Sequence, residues 1–383
     1  MTRNSIAPSD DDSQATEKFD RYAIRRLFTR RGFVACIVIG AILLGTVGAF
    51  AYVGGVFSPD RLTQARVVDQ FQKTNGIFPG FRRNHSKGVC LTGWFDSNGA
   101  GERFSRATVF KSGRTAVFGR FALAGGQPFI SDGPMAVHSM ALNFTTSGSD
   151  TWRTGMNGIP IFSVGTVKDL YDQLAAATPD PQTRKPDPER LKAYFSTHPQ
   201  AAKARAILQS QPLPSGFANT TYNSLNAFVF RNAEGHATAV RWAMVPEDAF
   251  APAKPDQATD GDKNYQFDDL VQRVERGPVI WHLIVTIAQP GDPTNDATLA
   301  WSDNREKIDV GTLTVDALSD EDKGPCRDVN FDPLVLPDGI EASDDPVLSA
   351  RSAAYAVSFN RRIGEPKTPS AVEVPADNKG VQP

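Results

Sequence analysis

Cysteine is scarce: three in 383 residues, at positions 36, 90 and 326. There is no CxxC pair and no Cys/His cluster, which argues against a structural zinc site. Cys36 falls inside an apolar run, so at most one disulfide, Cys90–Cys326, is open to the rest of the chain. A dominant sign of charge is also missing. Lys and Arg number 41 and Asp and Glu 43, for a net charge of −2. With no long basic stripe, this balance argues against nucleic acid as a partner. No P-loop, GxSxG, HExxH or dinucleotide fingerprint occurs, so the common nucleotide, hydrolase and zinc-protease chemistries lack support. No internal repeat is visible. Tryptophan (5) and tyrosine (7) are few beside 24 phenylalanines, a bias that suits a large aromatic core or an apolar pocket. The length accommodates one large domain or two ordinary ones.

What is present begins at the N-terminus. Residues 1–20 form a polar, acidic arm, followed by Arg21, Arg25, Arg26, Arg30 and Arg31. Residues 32–57 carry no charge, a run long enough to cross a bilayer. Arginines precede the run and no comparable cluster follows, which places the bulk of the chain outside the cytoplasm. Two expectations stand for this segment. It is either a retained inner-membrane anchor or a cleavable export signal. In the second case Thr29-Arg30-Arg31-Gly32-Phe33-Val34 resembles a twin-arginine motif and Ala49-Phe50-Ala51 offers a small-x-small site, with cleavage after Ala51. Both lead to a periplasmic protein.

The expected organisation is a polar and basic cytoplasmic arm or signal n-region at 1–31 and the apolar segment at 32–57. A folded domain follows at 58–363, then a tail at 364–383 whose Pro/Val/Glu/Lys composition without periodicity reads as disordered. Ser58-Pro59 reads as a helix start and Asn75-Gly76 as its stop. "GVCLTGWF", "RATVF", "TAVFGRFAL", "VHSMALNF" and "IPIFSV" read as successive antiparallel strands between glycine-rich turns. Helices follow in "VKDLYDQLAAA", across 187–211 and near 266–276. A hairpin turns at Ala233-Glu234-Gly235, and a last helix is capped by Asp345 with Pro346 at its first position. The fold class expected is α+β around an antiparallel β-barrel core with surrounding helices.

That last helix carries the first chemical signal. At about 100° per residue, Arg351, Tyr355 and Arg362 share one helix face. A guanidinium one turn from a phenol stabilises the phenolate by charge, and a phenolate is an axial ligand for ferric haem. Read alone, the same spacing also describes an ordinary helix face with an Arg–Tyr contact. His85, just before a strand, and Asn157, three residues before Pro160, read alone as a structural histidine and a turn residue.

In order along the chain these pieces resemble the haem catalase superfamily. The matching stretches are "HSKG" at 85–88, "VFGRFAL" at 117–123, "NGIP" at 157–160, "FRNAEGHATAVRW", "DATLAWSD" with "DVGTLTV", and "FDPLVLPDGIEASDDPVLSARSAAY". The resemblance runs from about residue 70 to 362. The short C-terminus and the export segment make the chain similar to the minimal, catalase-related peroxidase branch. The catalase-type barrel is the fold so implied, with haem b as cofactor and Tyr355 as the axial iron ligand. Arg351 is implied as the hydrogen-bond partner of Tyr355. His85 takes the distal acid–base role with Asn157 beside it, and Arg82, Arg120 and Arg362 hold the haem propionates. Two departures stand out: Asn84 replaces an apolar residue, and Ala122 stands where a serine commonly holds the distal histidine.

The implied function is reduction of hydrogen peroxide or small organic peroxides through a ferryl intermediate. Residual catalase activity and an unidentified electron donor accompany it; Trp94 and Trp152 read first as strand-packing residues and second as candidate relays. Two alternatives remain: an enzyme converting fatty-acid hydroperoxides, and a non-enzymatic, membrane-tethered haem-binding or sensing module. A homo-oligomer is compatible with all three.

Overall fold

Period-two burial along the strand segments dictates a sheet with one face turned to a core, and the chain closes that sheet on itself. The computed structural model describes residues 29–54, 56, 61–146, 150–254 and 262–375. It divides into two units, residues 1–63 and 64–383.

The described part of the first unit is helix α1, Arg30–Val53, capped by the Thr29 side chain, which accepts from the Gly32 N–H. None of its residues is buried, and by length and composition it can cross a membrane. The arginine-bearing arm before Thr29 lies outside the described residues.

In the second unit the strands are β1 (Gly88–Ser97), β2 (Gly113–Leu123), β3 (His138–Thr145), β4 (Thr151–Asn157), β5 (Tyr222–Asn223), β6 (Phe228–Arg231), β7 (Ala237–Pro246), β8 (Val279–Ile287), β9 (Lys307–Ser319) and β10 (Ile340–Ala342). Antiparallel pairing runs β1-β2-β3-β4-β5-β7-β8-β9 and returns from β9 to β1, closing an eight-stranded barrel. β6 and β10 extend it from β7. The barrel interior is aromatic. Phe144 stacks on Trp152 at 4.6 Å between ring centroids, and Phe121 lies 5.7 Å from both Phe217 and Trp281. The phenylalanine excess thus fills a core, and Trp152 belongs to it.

Helices α2 (Gln64–Asn75), α3 (Val167–Ala177), α4 (Pro188–Thr197), α5 (Pro199–Ser210), α6 (Tyr265–Glu275) and α7 (Pro346–Ile363) surround the barrel. α7 starts as the sequence requires: Pro346 occupies the first turn and the Asp345 carboxylate accepts the Val347 N–H at 2.8 Å. α2 ends at Gly76, whose φ of +95° suits glycine, while Ser58 and Pro59 lie outside the described residues.

Three expectations need correction. The run at 106–110 is not a strand: Thr108–Phe110 forms a 3-10 turn whose Val109 and Phe110 plug the core. The run at 159–164 is irregular. Pro160 donates no ladder hydrogen bond there, although Ile161 and Val164 are buried. The tail is packed from 364 to 375, not disordered. Glu365 accepts from Gly80 N–H at 2.9 Å and pairs with Arg83, Ser370 donates to Asp322 at 2.7 Å, and Val372 and Val374 join the core. Two valines two residues apart suffice to dock an extended segment, a signal too short for periodicity to reveal. Residues 376–383 lie outside the described residues.

Cys90 on β1 and Cys326 form a disulfide, with Cα atoms 5.4 Å apart. It fixes the 320–330 loop against the barrel wall.

Candidate active site

Alternation along β2, β3 and β4 turns one set of side chains into the barrel core and leaves the next on the outer face. The register aligns two outer rows: Arg120–Ala141–Gly155 and Ala122–Ser139–Asn157. These rows form one wall of a cavity of about 400 Å³. α7 supplies another wall with Arg351, Tyr355 and Arg362, and α2 and α3 close it with Val67, Val68, Phe71, Leu170 and Leu174. All seven residues singled out from the sequence line this cavity: Arg82, His85, Arg120, Asn157, Arg351, Tyr355 and Arg362.

His85 sits at φ +52°, in the left-handed region that non-glycine residues rarely occupy. Its neighbours hold it there. The His85 carbonyl accepts from Arg120 Nη1 at 2.7 Å, Ser86 N–H bonds to the Gly125 carbonyl at 3.0 Å, and the ring Nδ1 lies 3.0 Å from Ser139 Oγ. Ser139 Oγ in turn donates to Asn157 Oδ1 at 2.5 Å. Burial pushes the imidazole pKa down to about 3, helped by the positive charges of Arg120, Arg351 and Arg82. The ring is therefore neutral across the physiological range.

One end of the cavity is cationic. Glu321 takes Arg82 Nη1 at 2.7 Å and Arg120 Nε at 2.9 Å. Arg82 also donates to the Cys326 carbonyl at 2.8 Å, and Arg362 to the Arg327 carbonyl. Two guanidiniums thus share one carboxylate, and the third turns to backbone carbonyls. Among the described residues, Arg120 Nη2 and Arg362 Nε are buried there with no hydrogen-bond partner. Burial lowers the pKa of Arg362 to about 10.

At the other end, Arg351 donates to the Gly155 carbonyl at 3.1 Å and to Asn226 Oδ1, and its guanidinium carbon lies 6.0 Å from the Tyr355 ring centroid. The expected direct Arg351–Tyr355 hydrogen bond is absent among the described residues. The strand carbonyl and Asn226 engage the guanidinium instead. A Cβ on Gly155 would stand 3.7 Å from the Tyr355 hydroxyl, in ordinary contact with it.

A family model described as Catalase matches residues 55–379. The chain belongs to the catalase family. It is 35% identical over 322 residues to a catalase-related peroxidase of Synechococcus elongatus, covering 84% of this chain and 94% of that one. A catalase-related peroxidase of Mycolicibacterium paratuberculosis is 32% identical over 304 residues, 79% of this chain and 96% of that one. The fold matches solved catalase A from Saccharomyces cerevisiae with a TM-score of 0.67 at 19% identity, over 75% of this chain and 62% of that chain. With the family comes the enzyme class: a catalase-related peroxidase, an oxidoreductase acting on peroxide.

The catalase family implies haem, and the residues present fit it. Two buried guanidinium nitrogens without partners among the described residues, and an excess of arginine over carboxylate, suit a ligand that brings its own carboxylates. The phenol of Tyr355 faces the same cavity, and tyrosine is the haem-iron ligand in catalase.

Sequence reasoning missed Ser139, Glu321 and Asn226. Ser139 is visible only through register, as the β3 partner of Ala122. Glu321 could have been found by joining two signals. It lies five residues before Cys326, whose disulfide partner Cys90 pairs with Arg120 across β1 and β2. Asn84 is explained by the loop: its Oδ1 accepts from Gly125 N–H at 3.0 Å. Trp94 does not line the cavity; its indole N–H bonds to Asp96.

A second buried histidine lies beside the site in sequence. His138 holds Thr220 Oγ1 at 2.9 Å and Gln266 Oε1 at 2.6 Å, and burial lowers its pKa to about 4. The unfolded chain binds this proton below about 6.5 and the folded chain only below about 4, so stability falls as pH drops through that window. The loss amounts to roughly 3 kcal/mol. Urea denaturation of the parent and His138→Gln between pH 7 and 4 will show a shallower pH slope in the variant.

Proposed function

We propose that this chain is a haem b-dependent peroxidase that reduces hydrogen peroxide or small organic peroxides outside the cytoplasmic membrane, taking electrons from an as yet unidentified donor. What carries the reading is a neutral, buried imidazole tied through Ser139 to the Asn157 amide, in a cavity whose arginines outnumber its carboxylates. Tyr355 would hold the haem iron through its phenol oxygen. Arg82, Arg120 and Arg362 would hold the propionates. Haem, once bound, supplies the redox chemistry of peroxide reduction.

The chain's own residues manage the proton and the approach. His85 Nε2 would take a proton from the first peroxide oxygen and return it to the second. A pKa far below 6.5 keeps the ring in the form that can accept that proton. Asn157 donates a hydrogen bond to the peroxide and orients it. The apolar side chains of α2 and α3 keep bulk water from the reacting atoms.

Two features support an exported location. α1 has the length and composition of a membrane span, and the buried Cys90–Cys326 disulfide belongs to an oxidising compartment. The apolar wall of Val67, Val68, Phe71, Leu170 and Leu174 favours a second reading, an organic hydroperoxide as substrate, fatty-acid hydroperoxides included.

The haem-loaded full chain, in detergent, tests the proposal. Hydrogen peroxide and a long-chain hydroperoxide are supplied separately, with oxygen release and oxidation of a phenolic donor followed together. Donor oxidation exceeding oxygen release is expected. Oxygen release alone would mark a catalase, and no peroxide consumption would leave a haem-binding module.

A further inference from the structure

Ser139 stands in the middle of the row Ala122–Ser139–Asn157, on β3 between β2 and β4. It is 7% exposed, and its hydroxyl reaches both His85 Nδ1 at 3.0 Å and Asn157 Oδ1 at 2.5 Å. A serine hydroxyl has one proton to give and two lone pairs to receive with. The proton goes to Asn157 Oδ1, so the contact with His85 runs the other way, with Nδ1–H donating to Ser139 Oγ.

We propose that Ser139 is a positioning residue that fixes the proton arrangement of both His85 and Asn157. Two consequences follow from one hydroxyl. His85 is held as the Nδ1–H tautomer, which leaves the Nε2 lone pair for the peroxide proton. Asn157 is held by its carbonyl oxygen, which turns its NH₂ toward the cavity as a donor. The inference rests on the peroxidase reading above and states how that site is set.

It also accounts for the departure at Ala122. The resemblance leads one to expect a serine on β2, and the position carries a methyl group. The register places Ser139 directly opposite on the neighbouring strand, and both side chains line the cavity. The hydroxyl has moved one strand across the sheet and, from there, also reaches Asn157. A β2 hydroxyl at 122 is one strand farther from Asn157 on β4, so the coupling of the two groups depends on the β3 position.

The tautomer can be read without haem. The full chain labelled with nitrogen-15 histidine gives ring nitrogen shifts for its five histidines, and His85→Gln identifies the His85 signals. We expect Nδ1 protonated and Nε2 bare in the parent, and a mixture in Ser139→Ala. The haem-loaded chain adds a binding readout, since HCN must leave its proton on the imidazole as cyanide binds. Ser139→Ala is expected to slow cyanide association by about 10–100-fold, the usual loss when a partner that orients a functional histidine is removed. Ser139→Thr keeps the hydroxyl and restores both readouts. Ala122→Ser added to Ser139→Ala restores the tautomer while peroxide turnover stays low, because Asn157 remains unheld.

An Nε2–H tautomer in the parent would overturn the proposal. So would a Ser139→Ala chain whose tautomer and cyanide rate match the parent within twofold. A chain that takes up no haem would refute the peroxidase reading alone, and the tautomer measurement would still decide the role of Ser139.

Discussion

His85→Ala is expected to take up haem as the parent chain does and to lose peroxide turnover by about 10²–10⁴-fold, the range supplied by a positioned acid–base group. Uptake survives because the cationic end of the cavity and the α7 tyrosine are untouched by the change. Turnover fails because no other imidazole lines the cavity. The pH profile gives the same account a second edge. Burial, with the charges of Arg120, Arg351 and Arg82, places the His85 pKa near 3, so the base is present well below pH 6.5. Bound carboxylates would offset part of the arginine charge, whereas burial, the largest cause of the lowering, would remain. The acid limb of the parent's rate profile should therefore fall clearly below pH 6.5. A limb at or above 6.5 would mean that a different group carries the proton.

Tyr355→Phe should have the complementary effect. It removes the phenol oxygen and leaves the ring, so α7 packs as before. Loss of the axial ligand is expected to lower haem retention by at least about 100-fold, more than the 10–100-fold seen when only a supporting partner of a metal site is lost. Residual haem, held by the arginines alone, should have an altered spectrum and negligible turnover. Tyr355→Phe with an unchanged spectrum would assign the iron to another residue. The two variants together separate proton handling from cofactor binding.

Much of this site was expected from the resemblance to catalases, whose motifs here sit on elements with strong local signals. The α7 spacing of Arg351, Tyr355 and Arg362 follows from helical periodicity, and Asp345-Pro346 marks the helix start. All seven candidate residues were brought to one cavity by folding. What stayed hidden depends on contacts between distant segments. Ser139 gains its role only when β3 is laid between β2 and β4 in one register, and a shift of one residue would turn it into the core. Glu321 meets the arginines because a disulfide spanning 236 positions ties its loop to β1. The Arg351–Tyr355 hydrogen bond, plausible from one turn of helix, is displaced by a β4 carbonyl and Asn226 that no local pattern announces. At the C-terminus, composition pointed to disorder through residue 383, yet Glu365, Val372 and Val374 dock on partners far away in sequence.

The most direct test is the absorption spectrum of the full-length chain titrated with haem, with Tyr355→Phe alongside. The account predicts saturation at one haem per chain, with a ferric spectrum that Tyr355→Phe does not reproduce. A parent chain that never reaches stoichiometric haem would contradict it, and the cavity beneath α7 would then serve some other ligand.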